Sequence, residues 1–324
     1  MTMISSATPP ALVPTPLTIA QGLVADIATA QAQQANLEEQ IATGSTINQP
    51  SDNPAGTYEV MTLGASVARA QQYVSNANNG LGWLQEGVST VNQAISVLQG
   101  VAQAVESISG SALSGQQAAI TGIADQINSA EQQLAGLANA QYDGQYIFSG
   151  TSSQAPFDSA GSYIGGSAVP TRTVAPGTQV QIAITGDQVF GSSSSTTPPI
   201  TGSNLQSSAA SGLLGTNGLL AQISGALNAG NLSGAQSLLS PVQSFLGKME
   251  NAAAQLGAAY QNMQAFSEQA TATQQALQDQ LGAVQNVNLP QVSTQLAEAQ
   301  QAYQQALWAT AQTAQTSLAN FLLP

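Results

Sequence analysis

Carboxylates are the main groups left for chemistry in this chain of 324 residues, which has no histidine and no cysteine. That removes the imidazole general base, the histidine metal ligand, the thiol nucleophile, the thiolate zinc site and the disulfide. The 16 Asp and Glu residues are scattered, and Glu38 with Glu39 is the only adjacent pair. Neighbouring helical residues point in different directions, so this pair reads as a solvated face and not as two carboxyls sharing a proton. Asp52, Asp143 and Asp187 stand in Pro-Ser-Asp-Asn-Pro, Tyr-Asp-Gly and Gly-Asp-Gln contexts. An aspartate in a turn bonds its own backbone, and that role is favoured here over calcium binding or catalysis. Asn231-Leu232-Ser233 matches a glycosylation acceptor, a triplet expected by chance in a serine-rich chain. Trp83, Trp308 and most tyrosines lie in or beside apolar stripes and read as packing residues. No catalytic residue, cofactor or metal is assigned, and the chain is not expected to be an enzyme.

Three Lys and Arg residues leave a net charge of -13. Such a chain cannot neutralise a row of phosphates, which argues against nucleic acid and anionic lipid as partners. Only 6% of residues are charged, against roughly 25% in an ordinary soluble domain, so Gln, Asn, Ser, Thr, Ala and Gly must carry the surface. Residues 1–16 contain Pro9, Pro10, Pro14 and Pro16 and no Lys or Arg. They read as a disordered start that lacks the basic and apolar regions of a secretory signal. No run reaches the ~18 apolar residues of a membrane span. The expectation is a soluble chain without membrane insertion, or one exported without a cleavable signal, and the lack of Cys suits passage across membranes unfolded.

Helices must supply the frame. Ile19, Leu23, Ile27, Ala30, Leu37 and Ile41 fall on one stripe between Leu17 and Thr43, an amphipathic helix that should end near Gly44. The cluster Asn48, Pro50, Ser51, Asp52, Asn53 and Pro54 then enforces a loop. From Val60 apolar positions alternate three and four apart without a miss: Val60, Leu63, Val67, Ala70, Val74, Ala77, Leu81, Leu84, Val88, Val91, Ile95, Leu98, Ala102 and Val105. This is a coiled-coil seam. After a break at Ser109 to Gly115, Ile120, Ile123, Ile127, Ala130, Leu134 and Leu137 predict a helix that folds back antiparallel. From Tyr142 to Thr201 the period changes. Tyr146, Phe148, Phe157, Tyr163, Val180, Ile182, Ile184, Val189 and Phe190, set among Gly, Pro, Ser and Thr, predict short strands and turns, with alternation over Gln179 to Thr185. The run Gly191 to Pro199 reads as a flexible exit.

Helix resumes from about Leu205. A second seam runs through Leu239, Val242, Leu246, Met249, Ala253, Leu256, Tyr260, Met263, Ser267, Ala270, Gln274, Leu277, Leu281 and Val284, with Ser240 and Pro241 suited to its start. Asn286 to Pro290 interrupts it. The last helix carries Leu289, Val292, Leu296, Ala299, Tyr303, Ala306, Leu318 and Phe321 on its apolar side. The fold class is therefore mainly α with a small β insert: a long antiparallel coiled-coil bundle with paired N- and C-terminal helices and a central β-rich outer domain. Four regions follow: a Pro-rich start (1–16), a terminal helical domain (17–44 with 287–324), a coiled-coil middle domain (45–141 with 202–286) and a β-rich outer domain (142–201). The flanks of the seams are Gln, Asn, Ser and Thr, so packing should vary little with pH or salt. That suits acidic surroundings, with compositional drift as the alternative. The terminal helices, with narrow apolar stripes, are marginal alone in water. They are expected to stay loose until neighbouring subunits bury them, with packing on the monomer's own seam as the alternative.

Residues Thr43-Gly44, Ile47-Asn48 and Pro50-Ser51-Asp52-Asn53-Pro54-Ala55 resemble the signature of bacterial flagellins and their hook-associated relatives. Gln72-Tyr73 with Asn76, and Leu256-Gly257-Ala258, resemble further stretches of the same family in the same order. Two segments are similar to the hook-associated branch that joins hook to filament more than to flagellin itself. They are Asp143 to Thr151 with Ala155-Pro156-Phe157, and the ending Ala306-Leu307-Trp308-Ala309-Thr310-Ala311 to Ser317-Leu318-Ala319-Asn320-Phe321-Leu322. Departures occur at Ser45 and Thr46, where the family usually has Lys or Arg, and before Gly257, where Arg is common.

The resemblance implies a structural subunit of the extracellular bacterial flagellum, an adaptor at the hook–filament junction needed for filament assembly and motility. It implies self-assembly as a ring or tube, with Ile19, Leu23, Ile27, Leu37, Ile41, Leu289, Val292, Leu296, Tyr303, Leu318 and Phe321 at subunit interfaces and Gly44, Ile47, Asn48, Pro50, Ser51, Asp52 and Pro54 as the family loop. Implied partners are another hook-associated protein on the hook side, flagellin on the filament side, an export chaperone and the flagellar type III export apparatus. The alternatives are flagellin itself, polymerised in bulk, or a secreted coiled-coil adhesin or translocator with the β segment as its binding module.

Overall fold

The computed structural model describes residues 16–109, 117–193 and 212–322, the side chains of 16–20, 109, 313–314 and 316–322 excepted. The Pro-rich start, most of the Ser109 to Gly115 break, the Gly191 to Pro199 exit beyond Ser193, and the expected helix start at Leu205 lie outside the described residues. The elements in chain order are α1 (Pro16–Thr43), α2 (Pro54–Ser109), α3 (Gln117–Ala138), β1 (Gln141–Tyr142), β2 (Gln145–Tyr146), β3 (Thr171–Ala175), β4 (Thr178–Gln181), α4 (Gly186–Phe190), α5 (Leu219–Asn228), α6 (Leu232–Ser237), α7 (Leu239–Gln285) and α8 (Leu289–Leu322). The chain is mainly α with two small antiparallel hairpins, β1–β2 and β3–β4. It divides into two compact units, residues 1–67 with 275–324, and residues 68–274.

In the unit of 68–274, α2 and α7 pack antiparallel in heptad register. Gly80 faces Met263 and, one heptad on, Gly87 faces Leu256, while Ser267 Oγ donates to Asn78 Oδ1 at 3.0 Å. Every seventh residue of α2 from Ala70 is buried: Ala70, Ala77, Leu84, Val91, Leu98 and Val105. The second buried line differs from the one expected. Val74, Leu81, Val88 and Ile95 are only partly buried, and Gly80, Gly87, Ala94, Val101 and Ile108 take their place. Glycine carries no hydrophobic signal, yet the smallness of Gly80 and Gly87 is what admits the Met263 and Leu256 side chains. The same turn of the face occurs in α7, where Phe245 and Ala252 are buried and Leu246, Ala253 and Tyr260 are not fully so. Here too Val242, Met249, Leu256, Met263 and Ala270 repeat at seven.

The α3 helix buries Ile120, Ala124, Ile127, Ala130, Leu134 and Ala138 and packs against α5. Burial raises the carboxyl of Glu131 on α3 above the ordinary 4.5, an effect partly offset by the Gly215 N–H, which donates to it at 2.9 Å. A raised carboxyl favours the protonated form in the folded chain. Its stabilising contribution is therefore full below about pH 4.5 and is lost as pH rises through the folded value. Glu131→Gln keeps the acceptor and removes the charge. Melting temperatures between pH 4 and 7 should be equal to or above the parent at pH 7 and flatter with pH.

The β segment is smaller than its composition suggests. Asp143 (φ 50) and Gly144 (φ 75) are the two positive-φ residues of the β1–β2 turn, the arrangement that two-residue hairpins favour. The β3–β4 hairpin closes over Pro176-Gly177, with Gly177 at φ 72. The alternation expected to Thr185 stops at Gln181, because Ile182 to Gly186 are buried without a break and cannot alternate between core and solvent. Val189 and Phe190, expected in strands, lie in α4. Phe190 stacks edge-on with Phe148 and Phe157 at centroid distances of 5.6 and 5.8 Å. These rings belong to the same core as α2, α3, α5 and α7. Asp187 sits in the first turn of α4 and not in a self-capped turn; burial, and after it the charge of Asp187, pushes the Tyr163 hydroxyl up to about 12. Asn231 caps α6, accepting from the Gly234 N–H at 2.9 Å.

Candidate functional site: the terminal helix pair and its tied loops

The unit of 1–67 with 275–324 is built from two chain breaks tied to each other. Helix α1 ends where Gly44 turns left-handed (φ 71), its N–H donating to the Gln40 carbonyl at 2.9 Å. Nothing stands within 4 Å of a Cβ placed there, so Gly44→Ala adds backbone strain alone. Urea unfolding should show a loss of about 1–2 kcal/mol for Gly44→Ala and less for Gly44→Asn.

Ser45 pairs antiparallel with Asn286 at the α7–α8 break. The Thr46 N–H donates to the Gln285 carbonyl at 2.8 Å and the Val287 N–H to the Gly44 carbonyl at 3.0 Å, while Thr46 Oγ1 donates to the Val284 carbonyl at 3.0 Å. The following loop is organised by Asp52, whose Oδ2 accepts from the N–H groups of Asn48 (3.1 Å) and Gln49 (2.8 Å). That is the self-capping role read from its Pro-Ser-Asp-Asn-Pro context. Asn53 then caps α2 by accepting from the Gly56 N–H at 2.9 Å, with Pro54 first in the helix, where no N–H is needed. Ile47 packs close to Gly56, while Pro50 and Ser51 lie exposed at the turn. Asn288 caps α8 in the same way through the Gln291 N–H at 3.4 Å.

The α1 and α8 helices pack on each other around a small core. Leu37, Val292 and Ala299 are buried, and Ile41, Val287 and Leu296 are packed against them in part. Leu23, Ile27 and Tyr303 are half-buried. Leu289 stands apart, 51% exposed at the start of α8. The side chains of Ile19, Leu318 and Phe321 lie outside the described residues. Ala299 and Val287 join the core although one is small and the other lies in the break; the break residue carries no periodic signal.

Six of the seven large apolar residues exposed among the described residues lie in this unit: Val24, Tyr58, Met61, Leu289, Leu307 and Trp308. Trp308, read as a packing residue, is 80% exposed. These six are spread over α1, α2 and α8, and beside so small a core they leave much apolar area that association could bury. Glu38 accepts from Gln34 within α1 at 2.9 Å, and among the described residues no group of three His, Cys, Asp or Glu could hold a metal. Among the described residues no helix is long and apolar enough to cross a membrane.

Residues 17–153 match the bacterial flagellin N-terminal helical region. Flagellar hook-associated protein 3 of Salmonella typhimurium is 30% identical over 176 residues, 53% of this chain and 55% of that protein. The chain spans about half the length of the curated relatives it matches. The solved structure of flagellar hook-associated protein 3 from Legionella pneumophila aligns with a TM-score of 0.55 at 15% identity, over 69% of this chain and 98% of that one. FlgL of Bacillus cereus aligns with a TM-score of 0.53 at 19% identity, over 68% and 99%; at such identities the likeness establishes the fold. Through residues 17–153 the chain is thus similar to the bacterial flagellin N-terminal helical region, and along about half its length to flagellar hook-associated protein 3.

Proposed function

We propose that this chain is the structural adaptor at the hook–filament junction of a bacterial flagellum, required for filament assembly and motility. The observation that carries the reading is the gathering of exposed apolar side chains, Trp308 above all, on the unit that holds the terminal helices. Burying them takes a second surface, which neighbouring copies in a ring or tube would supply. In this reading residues 17–44 and 287–324 form the inner layer, 45–141 and 202–286 the rigid middle layer, and 142–201 the outer part. The loop at Gly44 to Pro54 and its tie to Asn286 would hold the inner pair's connections together. Hook-side contacts go to another hook-associated protein, and filament-side contacts to flagellin. The subunit travels unfolded through the flagellar type III export apparatus, held by an export chaperone, and acts outside the cell. Its role is mechanical and not enzymatic.

The test is the position of labelled protein on sheared flagella. A short band at the hook end is expected. Label along whole filaments would make the chain a flagellin, and label away from flagella would favour a secreted adhesin or translocator.

A further inference from the structure

A cavity of about 290 Å³ opens in the unit of 68–274, lined by Trp83, Gln145, Tyr146, Thr151, Ser153 and Arg172 among others. Arg172 is one of only three cations in the chain. Its Nε donates to Asn79 Oδ1 at 3.0 Å and a terminal nitrogen to the Thr171 carbonyl at 3.3 Å. Both acceptors are neutral, and among the described residues no carboxylate pairs with this guanidinium. The strand that carries it is held in place, since Asn76 Nδ2 donates to the Thr173 carbonyl at 2.9 Å. Of the five N–H donors of a guanidinium, three are left over. In a chain of net charge -13, a fixed cation with neutral partners and spare donors is matched to an anion from outside.

The remaining walls say what kind. Trp83, only 4% exposed, is fixed edge-on against Tyr142 at 6.0 Å, and its indole N–H is a buried donor without an acceptor. Around the opening, the polar side-chain groups of Gln145, Thr151 and Ser153 have no partner among the described residues. We infer that this cavity binds a small hydroxylated carboxylate of the uronic acid class. The carboxylate takes the free edge of Arg172 as a forked pair, the C–H face of the ring lies against the Trp83 wall, and the hydroxyls meet Gln145, Thr151 and Ser153.

Glucuronate is the probe, titrated into the full-length chain and followed on the two indole N–H resonances, with Trp308→Phe assigning the Trp83 signal. A saturable shift of Trp83 is expected, with Trp308 unmoved. Arg172→Gln should weaken it roughly tenfold or more, and Arg172→Lys, which keeps the charge and loses the fork, should fall between. Glucose and acetate, each supplying half of the contacts, should bind roughly tenfold weaker than glucuronate. Thr151→Val with Ser153→Ala alters only exposed groups and should weaken glucuronate by about threefold, a check that stands should Arg172→Gln not fold. No saturable Trp83 shift overturns the inference. So does a response unchanged in the folded variants, or glucose or acetate equal to glucuronate.

Discussion

A chain that stops at Gln305 should keep a folded body and fail to support a filament. The core of the unit of 68–274, as described, is made of that unit's own side chains, so the main thermal transition of the truncated protein should superpose on that of the parent. The terminal helices are a different matter. Leu37, Val292 and Ala299 all precede the cut and can still meet. What is lost is Leu307, Trp308 and the last turns of a 34-residue helix. A shortened helix with three buried side chains on its partner is marginal in water, and the most exposed apolar side chain of the unit has gone with it. Circular dichroism melts and electron micrographs of cells that carry only the truncated gene are the readouts. Normal melting with no filaments is expected; filaments of normal length would defeat the assembly role of α8.

The second large effect distinguishes the two ways of placing the seam on α2. Leu84 and Leu81 are equivalent by apolar periodicity, but Leu84 is fully buried and Leu81 is only partly so. Leu84→Ala should cost about 2–5 kcal/mol, while Leu81→Ala should cost less than half as much. The companion test is Gly80→Ala. Its Cβ would stand 2.7 Å from Met263 Cε and 3.2 Å from Ile182 Cγ2. An extra methyl in that position should cost about 1–3 kcal/mol, although alanine is the better helix former. Urea midpoints read all three. Equal losses at positions 81 and 84 with a neutral Gly80→Ala would restore the seam expected from apolar spacing.

Those residues also show where the sequence is readable and where it is not. The helices α1, α2, α7 and α8 follow from periodicity, and their ends from local turn chemistry: Gly44 after α1, Asn53-Pro54 before α2, Asn288 before α8. Such signals are short-range, so a few neighbouring residues suffice. The buried face of α2 is less legible because its second line begins with Gly80 and Gly87, whose role is to be small opposite Met263 and Leu256. Strands over-predicted through Phe190 have a related cause. Ile182 to Ile184 and Val189-Phe190 are apolar because they sit in the helices' core, and apolarity without alternation cannot tell strand from helix.

The tie between Ser45 and Asn286 was beyond reach, since it joins two breaks on opposite sides of the chain. At this tie Thr46 Oγ1 bonds the Val284 carbonyl and Ser45 Oγ donates to the Ile47 carbonyl at 2.9 Å. Neutral hydroxyls thus hold this junction, in keeping with a chain that uses 6% charged residues. Arg172 and Lys248 follow suit, the one on Asn79 and the other over the Phe245 ring at 4.5 Å.

In the proposed role, neighbouring copies at the junction cover the exposed apolar side chains of the terminal unit. Cryo-electron microscopy of the intact hook–filament junction at side-chain resolution tests it directly. Val24, Leu289 and Trp308 should be packed against adjacent subunits in the innermost layer, with residues 142–201 on the outside. A map in which these three side chains face solvent while residues 142–201 make the subunit contacts would contradict the account.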